Sequence, residues 1–271
     1  MKLNRSRKER LNELAKFTVE TYCSEAELPD LNSIARKEEI TVIYDHYERS
    51  FEGMTICSEG QFFIHIDLDT VKNQTSGRNR FTLAHELGHT LIDEHRIGLL
   101  TKTLEPHASD YLLGNSEKLI ELEADYFASA LLMPENLFKQ KSKEFSRPFS
   151  LETIKELSKY FQTSFLATLF RFVEIGSESV LSVFCKDGKV KWYIRSDDFP
   201  EWPFKFRVGS IPPENTVLGD FVRNNKIIFT EVEQVDIDSW FYSKWEVDLK
   251  LREQCVFNDD YGYVLSILWF V

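Results

Sequence analysis

Phe81-Thr82-Leu83-Ala84-His85-Glu86-Leu87-Gly88-His89-Thr90-Leu91-Ile92-Asp93 decides the reading of this chain. Phe81, Leu83, Ala84 and Leu87 make the stretch mostly apolar, and their intervals predict a helix over 81–93. Inside it stands His85-Glu86-Leu87-Gly88-His89, the pattern H-E-x-x-H. Residues four apart on a helix lie about 40° apart round its axis. Both imidazoles can therefore converge on one ion, and imidazole is a good zinc ligand. Glu86 stands one residue round from His85, beside such an ion rather than on it. There a carboxylate can take a proton from activated water. Gly88 leaves space next to the site. The bland alternative is two surface histidines on an amphipathic helix. The apolar neighbours argue against it, because uncharged histidines in a partly buried setting need partners.

A catalytic zinc needs a third protein ligand and an open position for water. His95 stands at the third-histidine distance of H-E-x-x-H-x-x-G-x-x-H, but Ile92 holds the glycine position where that pattern turns the chain. If the helix runs on, His95 lies about 240° round the axis from His89 and points away. The second candidate is Glu121-Leu122-Glu123-Ala124-Asp125 on a helix expected over 116–132. Glu121 and Asp125 share a face. One can bind zinc while the other accepts a hydrogen bond from a ligand histidine and fixes its tautomer. Glu123 points about 200° away from Glu121 and is expected in solvent. Glu121 is the expected third ligand and Asp125 the carboxylate behind a histidine.

Working outward, apolar Leu11, Leu14, Ala15 and Val19 predict a helix over 4–22, with a second over 31–37. Five basic side chains against one acid in the first ten residues read as a solvated helix end. Ile40–Tyr44 and Phe62–Leu68 read as strands, with Glu52-Gly53 and Glu59-Gly60 as turns between them. Asn73–Asn79 reads as a polar loop, and residues 94–116 as a loop over the cleft. Pro134 stops the 116–132 helix. Ser150 is the expected cap of a helix to Phe161, and after a break at Thr163-Ser164 another helix runs to about Glu174. Lys186-Asp187-Gly188 between two β-branched runs predicts a hairpin. Ile227–Val232 and Tyr263–Val271 are strand-like. The expected division is a metallopeptidase domain over 1–148, a helix-turn-helix-like segment over 149–176, and a mostly β domain over 177–271.

Composition narrows the function classes. The 271 residues carry a net charge of −11, a poor general binder of phosphate, though one that could meet a basic protein partner. Cys23, Cys57, Cys185 and Cys255 form no C-x-x-C pair, so neither a disulfide framework nor a cysteine zinc site is suggested. The basic N-terminus lacks the apolar core of a signal peptide, and no apolar run approaches the roughly 18 residues of a membrane span. The expectation is a reduced, cytoplasmic protein with no membrane contact.

Arg80-Phe81-Thr82-Leu83-Ala84-His85-Glu86-Leu87-Gly88-His89, then Glu121-Leu122-Glu123-Ala124-Asp125-Tyr126-Phe127-Ala128 and Leu131-Leu132-Met133-Pro134, resemble the ImmA/IrrE family of zinc metallo-endopeptidases. The two blocks together are far more specific than H-E-x-x-H alone, and the likeness spans 28–175. It implies an α+β, gluzincin-like fold, with a small sheet, a helix bearing both histidines, and a second helix bearing the third ligand. It implies zinc, with manganese as the alternative, on His85, His89 and Glu121, and Glu86 as the proton acceptor. It also implies a substrate, since family members often cleave a helix-turn-helix transcriptional repressor and so induce stress or mobile-element genes. About 30 residues precede the matching region, too few for a DNA-binding domain, so the repressor would be a separate chain. Some relatives carry a GAF-like sensor domain. Residues 177–271 have the size and β content for one but no ligand signature. For the oxyanion, His107, Tyr111 and Tyr126 are candidate donors.

A rival reading is a non-proteolytic transcription regulator, or a sequestering anti-repressor, with a structural or relic zinc site. Residues 151–173 have a helix-turn-helix rhythm, but the second helix offers one basic side chain, Arg171, among many apolar ones. A DNA reader needs more. Core packing or a protein-binding face is the expected role, without direct nucleic-acid binding.

Overall fold

The computed structural model describes residues 3–23, 28–69, 77–104, 108–109, 119–224, 231–242, 250–258 and 262–270. Among them the chain is mixed α+β, with helices and two separate sheets. No described helix is long and apolar enough to cross a membrane. The chain divides into two compact units. The first comprises 1–137 and 158–167, the second 138–157 and 168–271.

The first unit opens with α1 (Arg5–Tyr22), capped by the Asn4 side chain accepting from the Arg7 N–H, and α2 (Leu31–Lys37), capped in the same way by Asp30. Strands β1 (Thr41–Asp45), β2 (Gly53–Ser58) and β3 (Gln61–Asp67) follow. Next come α3 (Gly77–Leu91), α4 (Asp93–Leu100), the two-residue β4 (Ala108–Ser109) and α5 (Leu119–Leu132). The sheet order is β1-β3-β2-β4, with β1 parallel and β2 antiparallel to β3. The reading of Glu52-Gly53 as a turn missed β2. Met54-Thr55-Ile56-Cys57 after it alternates as a strand does, and its glycine serves the site described below. Helix α3 lies against β2 and β3, α5 lies against α3, and α1 against α5. The core joins Ile64 and Ile66 of β3, Leu83, Ala84 and Leu87 of α3, and Ala124, Phe127, Ala128, Leu131 and Leu132 of α5. Burying a side chain such as Leu or Phe is worth roughly 1.5–3 kcal/mol, so this three-layer contact holds the helices in register.

Pro134 stops α5 as expected, and α6 (Glu135–Phe145) begins at once after it. Then come α7 (Leu151–Phe161) and α8 (Phe165–Ile175), the two helices of the helix-turn-helix rhythm. The second unit's sheet uses β5 (Val180–Lys186), β6 (Lys189–Arg195), β7 (Glu233–Asp236), β8 (Lys250–Asn258) and β9 (Tyr263–Phe270). Helix α9 (Val217–Asn224) precedes β7, and the short α10 (Ile237–Trp240) follows it. The order is β6-β5-β9-β8-β7 and every pairing is antiparallel. The Asp187-Gly188 hairpin forms, with both residues at positive φ. Leu181, Val183, Cys185, Leu218, Trp240, Leu251 and Leu268 share one core. On the helical side Phe149 stacks on Phe172 and meets Trp269 edge-on, both at 5.0 Å. Of the strand expected over Ile227–Val232, residues 227–230 lie outside the described residues, as do 73–76 of the expected polar loop.

Candidate metal centre

Helix α3 carries His85, Glu86 and His89, each 1–2% exposed. Their burial follows from the layer order, since α3 is covered by the sheet on one side and α5 on the other. The approach of α5 depends on Gly88. A Cβ there would stand 3.2 Å from a Phe127 ring carbon and 3.3 Å from the Ala124 Cα. The space that glycine leaves is filled by the neighbouring helix, which brings Glu121 within reach of the histidines.

The geometry that results is compact. The Nε2 atoms of His85 and His89 are 3.1 Å apart. Glu121 Oε2 lies 3.3 Å from His85 Nε2, and Oε1 lies 3.4 Å from His89 Nε2. Two ligands on a tetrahedral zinc, each about 2.05 Å from it, stand about 3.3 Å apart. The three separations therefore fit one such ion, and these three residues form the group among the described residues able to hold a metal. Asp125, one turn along α5, takes the other nitrogen of His85, with Oδ1 2.9 Å from Nδ1. That contact puts the proton on Nδ1 and the lone pair on Nε2, facing Glu121. Without an ion, burial lowers the His85 pKa, but hydrogen bonds to Asp125 and Glu121 outweigh it and raise the ring to about 10, which puts a second proton on Nε2. The carboxylates thus favour positive charge at this spot, and an ion that took the place of that proton would find the Nε2 lone pair.

Glu86 does not join the ligand group. Its Oε2 accepts a 2.6 Å hydrogen bond from the Thr55 hydroxyl on β2. Two residues earlier, a Cβ on Gly53 would lie 2.6 Å from Glu86 Oε1 and 2.7 Å from the Thr82 methyl. Strand β2 therefore places the carboxylate by one donor and one gap. Sequence reading did not find Thr55 or this use of Gly53. The only signal was a glycine opening an alternating run.

Two expectations are corrected. Glu123 was placed in solvent by its position on α5, yet it is 5% exposed. The Arg7 side chain of α1 donates to it from Nε at 2.8 Å and from Nη2 at 2.5 Å, because α1 covers that side of α5. Residues 94–116 were read as a loop, but 93–100 form α4, started by Asp93 and Glu94, which suit a helix N-terminus. As for His95, α3 ends at Leu91, before it, so the condition under which His95 would point away is not met. Ile92 takes an extended backbone and the chain restarts as α4. His95 therefore turns inward, 2% exposed, with Nε2 3.1 Å from Glu123 Oε2 and its ring 5.2 Å from that of His89. Burial lowers its pKa against the pull of Glu123, which keeps the ring neutral.

Of the oxyanion candidates, His107 and Tyr111 lie outside the described residues. The Tyr126 hydroxyl accepts from Asn12 of α1 at 2.9 Å, so α1 holds it. In the helix-turn-helix segment, the Arg171 side chain is fully buried and pairs with Glu174 at 3.2 Å. It cannot meet a phosphate.

Comparison with known proteins adds two findings. The IrrE N-terminal-like domain, a peptidase family, matches residues 71–173. A Mycobacterium tuberculosis transcriptional regulator is similar in structure, with a TM-score of 0.64 over 97% of this chain and 76% of that one. At 11% identity that likeness is one of fold. No curated protein sequence matches. The matched segment contains α3 and α5, the two helices that face each other across the group able to hold a metal, and over that segment the chain is similar to the ImmA/IrrE family of metallopeptidases and their zincin-like fold.

Proposed function

We propose that the protein is a zinc-dependent endopeptidase that cuts a helix-turn-helix transcriptional repressor in trans. The observation that carries this reading is the set of separations among His85, His89 and Glu121, which match one tetrahedral ion, with a buried carboxylate, Glu86, next to it on the same helix. His85, His89 and Glu121 would hold the zinc, with manganese as the alternative, and Asp125 would fix the His85 ring. When bound, the ion supplies Lewis-acid activation of water and of the scissile carbonyl. Glu86 takes a proton from the attacking water and delivers it to the leaving amine. Thr55 and Gly53 hold that carboxylate in place while it does so. The sheet and α5 on either side of α3 lower the local dielectric, which strengthens each of these interactions.

The substrate class rests on family likeness and on charge. A chain of net charge −11 attracts a basic DNA-binding protein by electrostatic steering. Fully buried Arg171 supports a role for α7 and α8 in packing rather than DNA reading.

The test mixes the protein with a helix-turn-helix repressor, taken from a neighbouring gene where one encodes it, with and without inducing stress. Wild type should cut at one or a few sites. Glu86→Gln, nearly isosteric, should keep zinc and fold and lose at least about 10²-fold in rate, because an amide cannot accept the proton. Cleavage by Glu86→Gln at the wild-type rate overturns the mechanism. Tight binding of the repressor without cleavage under every condition establishes a sequestering anti-repressor instead.

A further inference from the structure

Glu123 ties together three helices of the first unit. It stands about 200° round α5 from Glu121, so the two carboxylates leave the helix on nearly opposite sides. Glu121 faces His85 and His89. Glu123 faces α1 and α4. Arg7 reaches it with two donors, Nε to Oε1 at 2.8 Å and Nη2 to Oε2 at 2.5 Å, the fork geometry that only arginine offers. The same guanidinium holds Glu94 of α4 at 2.9 and 3.2 Å. His95 of α4 donates to Glu123 Oε2, and its ring lies against His89. Nearby, Asn12 and Lys8 of α1 engage Tyr126, three residues further along α5.

We propose that Arg7 is a positioning residue for the metal centre, acting through Glu123. Its guanidinium sets the rotation of α5 about its own axis and so the reach of Glu121 toward His85 and His89. A side-chain oxygen about 6 Å from a helix axis moves about 1 Å for a rotation of about 10°. Metal–ligand distances tolerate about 0.2 Å. The pair is largely desolvated, at 15% and 7% side-chain exposure. Such a pair adds little net stability over an apolar pair, although removing one partner leaves the other charge buried and lowers stability. Lost stability by itself does not move the affinity of the folded state, so the observable is metal affinity rather than melting temperature. This inference rests on the metal-centre reading above.

The experiment measures zinc dissociation constants by chelator competition, well below the melting temperature, where affinity reports the folded state alone. Arg7→Met should weaken zinc binding about tenfold, the lower end of what an outer ligand partner is worth. Arg7→Lys should recover part of this, since it keeps the charge but not the fork. Adding Arg7→Met to Glu123→Gln should change nothing further, because the pathway is already cut. Arg5→Met, at a side chain 93% exposed on the same turn of α1, should match wild type. Affinity within twofold of wild type in Arg7→Met, or additive effects in the double variant, overturns the proposal. Should Arg7→Met not fold, Arg7→Lys and Glu123→Gln decide it, and wild-type affinity in both overturns it. A second readout needs no metal. Amide hydrogen exchange of residues 123–126 in metal-free protein should quicken in Arg7→Met or Arg7→Lys. Wild type that binds no zinc sinks the metal-centre reading, and the exchange data then judge the clamp by themselves, with unchanged protection overturning it.

Discussion

Glu253 in the second unit is buried and Glu121 in the first is partly so, and the surroundings of these two carboxylates differ in kind. Glu253 is fully buried. It accepts from the Val217 and Leu218 N–H groups at the start of α9, from the Trp240 indole and from the Ser266 hydroxyl, all at 2.8–3.0 Å. Each donor comes from an element that must be held, so this carboxylate pins α9, α10 and β9 to β8. Glu121 is set against two imidazoles whose near nitrogens are 3.1 Å apart. With His85 donating its other proton to Asp125, acceptors converge on one point. A polar cluster that closes on donors holds a fold together. One that gathers acceptors within ligand distance of each other is built for a cation. The zincin-like unit and the β-rich unit therefore surround a carboxylate in opposite ways.

The largest expected effect breaks the first half of this comparison. Wild type should carry about one zinc per chain by elemental analysis, and the double variant His85→Ala, His89→Ala should carry none. Stripping zinc should also lower the melting temperature of the first unit alone, since a ligand held only by the folded state stabilises it. Full occupancy in the double variant would show that the convergence of acceptors has no bearing on metal.

Glu253→Ala tests the second half. Two backbone donors and the indole N–H would be left buried without an acceptor, each costing about 1–3 kcal/mol. Denaturant unfolding should show a loss of about 4 kcal/mol or more, with zinc affinity unchanged. A pH series refines it. Burial pushes the Glu253 pKa above its ordinary 4.5, although its four donors pull it back down. A raised folded-state value means the folded protein binds the proton more tightly than the unfolded chain. Stability should then be fullest below about pH 4.5 and fall as pH rises from there through the folded value. Glu253→Gln should remove that contribution, and an identical pH slope in the variant would place the effect elsewhere.

Gly53→Ala is the subtlest intervention, one methyl group. That carbon would stand 2.6 Å from Glu86 Oε1 and displace the carboxylate. A shift of about 1 Å in a catalytic group costs on the order of 10²-fold in rate. Cleavage of the proposed repressor substrate should fall by that much while metal content stays at wild type. Equal loss of zinc and rate would mean that β2 supports the ligand group as a whole rather than Glu86 in particular.

The grouping of His85, His89 and Glu121, which could hold a metal, was legible in the sequence because its logic is local. His85 and His89 share a face by helical periodicity, as do Glu121 and Asp125, and both depend only on spacing within one helix. The same holds for the Asp187-Gly188 hairpin and for the stop at Pro134. Local spacing fails where a distant segment decides the environment. Glu123 lies on the outer side of α5 by any count of residues, and only the arrival of Arg7, 116 positions earlier, turns that side into interior. Gly53 reads as a turn until Glu86, 33 positions later, needs the space. His95 follows the same rule in reverse. A continued helix would point it away from the site, but the break at Ile92 restarts the helix and turns the ring inward. Residue type and spacing determined which groups can bind a metal. The packing of α1, α5 and β2 around α3 decided how firmly those groups are held, because desolvation and close approach are properties of the assembled layers.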